Sequence, residues 1–225
     1  MKRIDLNVDI AEGFPHDSEL LDIATSANVC CGEHAGSWEL TVGTVAMCRE
    51  AGLRVGAHPG YPDRASMGRA SPAPSDWETA ERSVRLQIER MIEIGACDYV
   101  KPHGAFYNEA VDAGAALEAL TSILNERKTP LMGLPDTGLE SAARTASVPF
   151  LREGFADRAY TPDGRLIPRS RPGAVLTSAD EVRAQALRLA PRVDSICLHG
   201  DTEGCVEFAS LVRAALEQAG FEVGW

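Results

Sequence analysis

Four of the five histidines in this 225-residue chain follow short apolar runs and stand beside glycine, proline or an acid. His34 closes Ala27-Asn28-Val29-Cys30-Cys31-Gly32-Glu33-His34, His58 closes Arg54-Val55-Gly56-Ala57-His58-Pro59-Gly60, His103 sits in Tyr99-Val100-Lys101-Pro102-His103-Gly104, and His199 in Ile196-Cys197-Leu198-His199-Gly200-Asp201. Proline cannot continue a central ladder and glycine releases the backbone, so these imidazoles belong at strand exits. Lys101 shares one exit with His103, which places an ammonium and an imidazole at the mouth of a sheet rather than inside it. The remaining exits carry Asn7, Asp9 and Glu12, then Glu33, Asp63 and Arg64, Asp136, Asp157 and Arg158, and Asp201. Any one of these alone reads as a turn former or helix cap. Their recurrence at one kind of position points instead to a shared pocket.

Two chemistries suit such a ring. In metal-assisted hydrolysis, Asp9 and two or three of His34, His58 and His103 would ligate a divalent ion and leave a position open for water. In a metal-free reaction, an acid/base pair drawn from Asp9, His103 and His199 would drive attack on a carbonyl while Lys101 stabilises the oxyanion. Lys101 beside His103 would also favour the neutral imidazole that a base requires. The residues leave both open.

The elements that must position them alternate regularly. Strands are expected at 4–8, 28–31, 53–57, 99–101, 130–134, 148–155 and 195–198, with a last short one at 221–223. Helices are expected at 37–51, 77–94, 116–127, 138–145, 178–190 and 205–219. Ser75-Asp76-Trp77-Glu78 has the form of a capping box, and Trp77, Ala80, Val84, Ile88 and Met91 follow at helical spacing. Parallel strands need crossovers, so this alternation argues for a parallel sheet, and its length favours closure into a (β/α) barrel. No Gly-x-Gly-x-x-Gly follows the first strand, which lowers the open dinucleotide-binding alternative. The stretch 156–175 is the one long irregular segment. Its Arg158, Arg169 and Arg171 invite an anionic substrate.

Composition narrows the field. Thirty-three acidic residues against 22 Lys plus Arg give a net charge of -11, which disfavours nucleic acid and anionic membrane surfaces as partners. The start of the chain lacks the apolar core of a signal peptide, so a cytoplasmic protein is expected, and no linker divides residues 1–225, so a single barrel domain is expected. The six cysteines suit neither a disulfide scaffold nor a zinc knuckle, although Cys31 and His34 are spaced like half of a zinc site. No Gly-x-x-x-x-Gly-Lys-Ser/Thr is present for ATP.

Six blocks together carry a resemblance: Asp5-Leu6-Asn7-Val8-Asp9-Ile10-Ala11-Glu12-Gly13-Phe14, residues Ser26 to Gly36, Gly56 to Asp63, Lys101 to Asn108, Phe155 to Tyr160, and His199 to Thr202. In this order they resemble the LamB/YcsF family across essentially the whole chain. The resemblance implies an α/β fold, a seven-stranded (β/α) barrel of the glycoside hydrolase/deacetylase type. It also implies a hydrolase component in the ATP-dependent cleavage of 5-oxo-L-proline to L-glutamate. In that scheme separate 5-oxoprolinase B and C subunits handle ATP to activate the lactam. Asp9, His58, Lys101, His103 and His199 are then the expected catalytic residues, and Asn7, Glu12, His34, Asp157, Arg158 and Asp201 the expected substrate contacts. A divalent metal, if held, would fall to Asp9, His34, His58 and His103. The barrel type also suggests a metal-dependent deacetylase-like hydrolase, and a non-catalytic lactam- or sugar-binding protein is a third reading. Homo-oligomerisation is compatible with each. Lys101 tilts the balance toward metal-free lactam chemistry. The chain departs from the family at Ala11, usually glycine, at Val8, often cysteine, and at Glu33, usually phenylalanine.

Overall fold

Ile4, Leu6, Val8 and Ile10 alternate with Asp5, Asn7 and Asp9 along β1 (Lys2–Ile10), and this two-residue period decides how the barrel is filled. The computed structural model describes residues 2–225. The order along the chain is β1, α1 (Asp17–Leu21), β2 (Ser26–Cys30), α2 (Trp38–Glu50), β3 (Arg54–His58), α3 (Trp77–Glu93), β4 (Tyr99–Val100) and α4 (Gly104–Ala110). It continues with α5 (Ala115–Arg127), β5 (Leu131–Gly133), α6 (Gly138–Ala146), β6 (Phe150–Phe155), α7 (Ala179–Leu189), β7 (Ser195–His199), α8 (Cys205–Gln218) and β8 (Phe221–Val223). Strands β1 to β7 pair in sequence, all parallel, and β7 returns to β1 to close a seven-stranded barrel. β8 lies outside the closed ring, because it pairs only with Lys2 to Ile4, ahead of the segment of β1 that meets β7.

The polar members of β1 point inward. Asn7 donates to Ser195 Oγ on β7 at 2.6 Å and accepts from Asn28 Nδ2 on β2 at 2.6 Å, while Tyr99 Oη on β4 donates to Asn28 at 2.8 Å. Side chains on such distant strands meet only in the barrel interior. The apolar members join the core beneath the helices, where Ile4, Leu6 and Val8 are wholly buried, each worth roughly 1.5–3 kcal/mol relative to exposure. Helix α3 shows how a helix face serves the mouth. Ala80, Val84, Ile88 and Met91 bury one stripe, and Gln87 on the same face grips Gly60 at both N (3.0 Å) and O (2.8 Å), fixing the loop after His58.

Several local expectations are corrected. The capping box does not form: Pro74–Asp76 make a 3-10 turn, α3 starts at Trp77, and Asp76 at its N-cap makes no side-chain cap bond. Ser178 occupies the N-cap of α7 without a side-chain bond as well. Helices α1 and α4 are additional to the pattern expected from sequence, and each is a short element packed directly after a strand exit. The segment 156–175 is less irregular than its composition implies, since antiparallel bridges join Arg158 to Val175 and Tyr160 to Leu166.

Asp5 anchors the lower layer, accepting from Thr25 Oγ1 at 2.5 Å, Ser26 Oγ at 2.8 Å and Ser195 Oγ. Burial pushes its carboxyl up to about 6, and the three hydroxyl donors only partly offset this. The native state therefore binds this proton more tightly than the unfolded chain, so the stability it adds is full below about pH 4 and is lost as pH rises through about 6. The shift corresponds to about 3 kcal/mol. Asp5→Asn cannot titrate, so its stability relative to wild type should improve by that amount between about pH 4 and pH 7 in urea unfolding. A pH-independent difference would contradict the assignment.

Candidate active site

The upper layer of the barrel is built on Lys101, whose backbone N–H still reaches Ala57 O across the ladder at 2.9 Å before Pro102 ends it. Its ammonium lies inside the barrel and not at the mouth, 1 % exposed, 2.8 Å from Asp9 Oδ1, 2.8 Å from Glu153 Oε1, 3.0 Å from Cys197 Sγ and 3.3 Å from Asn7 Oδ1. An ammonium has three protons. Hydrogen bonds to Asp9, Cys197 and Asn7 use them all, with Glu153 as a further ion-pair partner, leaving none for a substrate oxygen. Burial disfavours both charges, but Asp9 and Glu153 outweigh it for Lys101, which is held well above the usual lysine range. For Asp9 the charges of His58, Lys101 and His199 outweigh the same burial and hold it well below the usual carboxylate range. Asp9 is an anion at every working pH.

Three imidazoles stand above it. His58 Nδ1 donates to Lys101 O at 2.8 Å and His103 Nε2 donates to Met67 O at 2.8 Å, because a carbonyl only accepts. The remaining nitrogens, His58 Nε2 and His103 Nδ1, face each other at 2.9 Å. That contact closes only around a proton or a metal ion. Burial, with the neighbouring His34 and His58 rather than Lys101 as the main further causes, holds His103 well below the usual histidine range. His34 stacks on His103 at 3.9 Å between centroids, and Glu12 Oε1 lies 3.5 Å from His34 Nε2 and 3.4 Å from His103 Nδ1. Both Glu12 Oε1 and His34 Nε2 are buried without a hydrogen-bond partner.

The metal set expected from sequence, Asp9, His34, His58 and His103, does not converge as one group: His34 and His103 fall together, Asp9 falls elsewhere, and His58 joins neither. Glu12, His34 and His103 converge as one possible ligand group, and Asp9, Cys197 and His199 as another. Lys101 already supplies the cation to Asp9 and Cys197, so the second group does not fit a metal. The first does: its two orphaned atoms converge with His103 Nδ1, and the outer nitrogen of His103 is fixed by a carbonyl, as a ligating imidazole requires. The Cys31–His34 pair does not form, since the Cys31 thiol points at Val29 O and it is Cys30 whose sulfur lies 3.9 Å from His34 Nδ1.

His199 is positioned separately. Asp157 Oδ1 accepts from its Nδ1 at 2.9 Å, and Asp157 Oδ2 accepts from the His199 backbone N–H at 3.0 Å and Thr202 Oγ1 at 3.1 Å. Burial would raise the Asp157 carboxyl, but His199 more than compensates and keeps it below its usual value. Phe155 stacks on the His199 ring, and Nε2 is left facing the cavity, 3.7 Å from Asp9 Oδ2.

These groups open into a cavity of about 330 Å³. Asp9, His58, Lys101, His103 and His199 all line it; of the expected substrate contacts only Arg158 does, while Asn7, Glu12, His34, Asp157 and Asp201 stand behind the lining. Arg158 itself is buried, its Nε and Nη2 donating to Ala174 O and Ile167 O, and burial lowers its guanidinium to about 10. Glu33 is not part of the lining. Two contributors escape sequence reading. Glu153 is detectable only as a charge at an inward register of β6, and Arg69, in the loop after β3, carries no signal.

A family model, the LamB/YcsF family, matches residues 4–224. The 5-oxoprolinase A subunit of Neisseria meningitidis serogroup C is 38% identical over 99% of both chains, and that of Nocardia farcinica 41% over 98% of both. A lactam utilization protein from Thermus thermophilus superposes with a TM-score of 0.84 at 33% identity over 99% of each chain. A family 4 carbohydrate esterase from Streptomyces lividans gives 0.55 at 11% identity, covering all of this chain and 92% of that one, which shows the shared fold alone.

The turn that aims Glu12 at His34 is strained. Ala11 adopts φ 63° with its N–H bonded to Asp17 Oδ2 at 2.8 Å, a conformation that disfavours a Cβ by roughly 1–2 kcal/mol. Ala11→Gly should therefore stabilise the chain by about 0.5–1 kcal/mol after glycine's entropy is counted. Chemical denaturation checks this, and a loss of stability would show that the Ala11 methyl contributes packing that outweighs the strain.

Proposed function

The chain belongs to the LamB/YcsF family, and from that premise we propose that it is the lactam-hydrolysing component of a 5-oxoprolinase, opening 5-oxo-L-proline to L-glutamate. Full-length likeness to 5-oxoprolinase A subunits supports the reaction. The observation that carries the assignment is His199, oriented by Asp157, with its Nε2 exposed to the cavity beside an ionised Asp9.

Hydrolysis of a lactam forms a C–O bond from water, breaks the ring C–N bond and moves one proton from water to the departing nitrogen. His199 Nε2 takes the proton from water while Asp157 holds the Nδ1 proton in place. The imidazolium so formed lies between Asp157 and Asp9, both anions, and returns its proton to the ring nitrogen as the bond breaks. Lys101 acts on this sequence only through Asp9. His58 and His103 form the wall opposite. If a divalent ion is held by Glu12, His34 and His103, it supplies a Lewis acid at that wall.

ATP enters, in this reading, through partner B and C subunits that activate the lactam. The chain contains no phosphate-binding loop sequence. No helix among the described residues is long and apolar enough to cross a membrane.

The assembled enzyme, given ATP and 5-oxoproline, should release glutamate. His199→Ala and Asp157→Asn in this chain should each reduce turnover by about a hundredfold or more. Full activity of both variants would remove His199 from the chemistry, and absence of glutamate with active partners would sink the assignment.

After exposure to Zn²⁺ and desalting, the chain should retain about one ion, lost in His34→Asn, by elemental analysis. No retention by the wild type would show that a proton, not a metal, closes the histidine cluster.

A further inference from the structure

Three loops remote in sequence meet at the rim of the cavity. Arg69 comes from the segment after β3, Arg169 from the segment after β6, and Asp201 from the exit of β7. Asp201 Oδ2 accepts from Arg69 Nη2 at 2.5 Å and Arg169 Nη1 at 2.9 Å, and Oδ1 from Arg169 Nη2 at 3.3 Å. Two guanidinium groups share one carboxylate, so the rim keeps one uncompensated positive charge. Asp201 is nearly sealed at 9 % side-chain exposure, whereas Arg69 and Arg169 remain 30 % and 24 % exposed and both line the cavity.

The other cations of the cavity are turned inward and buried, Lys101 at 1 % and Arg158 at 7 % exposure. Lys101 is saturated by Asp9, Glu153, Cys197 and Asn7, and Arg158 donates to two carbonyls of its own loop. Arg69 and Arg169 have donors left over, since a guanidinium carries five N–H groups and the structure uses at most two of each on Asp201. Asp201 holds the pair at a fixed spacing without neutralising it, which is the preorganisation that anion binding rewards.

We propose that Arg69 and Arg169 form the carboxylate-recognising subsite of this cavity, with Asp201 as their positioning residue. The site would then select cyclic amides bearing a carboxylate beside the ring nitrogen over the unsubstituted lactam. This rests on the lactam-hydrolase reading and extends it to specificity. The placement suits the substrate: His199, Arg69 and Arg169 line one and the same cavity, so a five-membered lactam and its carboxylate can meet both. His199 thus addresses one end of the molecule and the arginine pair the other.

The test uses the assembled enzyme and two probes, 5-oxo-L-proline and 2-pyrrolidinone, which is the same lactam without the carboxylate. Arg69→Gln and Arg169→Gln should each raise KM for 5-oxoproline by about tenfold, the loss expected of a charge-assisted hydrogen bond, while kcat changes far less. In ligand-observed NMR the wild-type chain should bind 5-oxoproline better than 2-pyrrolidinone, and the double variant should bind both equally. Arg169→Lys, which keeps the charge, should recover part of the preference, and circular dichroism confirms that the variants are folded. Unchanged KM, or a preserved preference in the double variant, overturns the subsite while leaving lactam hydrolysis in place. A wild-type complex that releases no glutamate and a chain that binds neither probe would overturn both.

Discussion

One ammonium group sealed inside a barrel is the constraint on which the upper half of this molecule depends. Lys101 lies between Asp9 and Glu153 with almost no access to solvent. Removing three charges from water is costly, and the arrangement survives only because each partner is placed within hydrogen-bond distance by a different strand. β1 brings Asp9 inward by its two-residue alternation, β6 brings Glu153 the same way, and the end of β4 brings Lys101. Deleting Lys101 would leave two buried carboxylates with no cation between them. The same cluster fixes the chemistry above it, because an ammonium committed to Asp9 keeps that carboxylate ionised beside His199 and His58.

Two dissimilar neighbourhoods share the mouth. On one side Asp157 holds His199 by its Nδ1 and leaves Nε2 toward the cavity. On the other, Glu12, His34, His58 and His103 form a dense cluster whose hydrogen bonds cannot all be satisfied by neutral side chains. Two of the five described non-glycine residues with positive φ, Ala11 and Met67 (φ 53°), adjoin this second cluster. Met67 supplies the carbonyl that orients His103, so the strain has a visible local use. Positive φ values away from glycine are uncommon, and their coincidence with unsatisfied donors and acceptors is characteristic of a ligand site.

Much of this architecture is legible from residue order alone. The alternation of apolar runs with helical periodicity points to the closed parallel barrel, and the repeated placement of histidine after a strand points to its mouth. What is not legible has physical reasons. Pro102 ends the strand immediately after Lys101 and so suggests a side chain at the rim, yet the Lys101 backbone N–H still joins the ladder and its side chain turns inward. Ser75 fits the pattern of a cap by its sequence neighbours, but Pro74 favours a 3-10 turn that takes Ser75 out of the N-cap position. Arg69 and Glu153 owe their importance to partners remote in sequence, Asp201 and Lys101, and no local pattern announces such pairs. Asp157 and Asp201 read from sequence as substrate contacts, whereas each is turned toward a protein side chain that itself faces the cavity.

That Lys101 would serve the proposed reaction only through Asp9 is tested most directly by a double-mutant cycle on turnover. Glutamate release by assembled enzyme carrying Asp9→Asn, Lys101→Met or both should be compared per folded chain. If Lys101 acts through Asp9, the double variant is no slower than Asp9→Asn alone. If the two losses multiply, Lys101 touches the substrate independently, and its sealed ammonium is not the form the reaction uses.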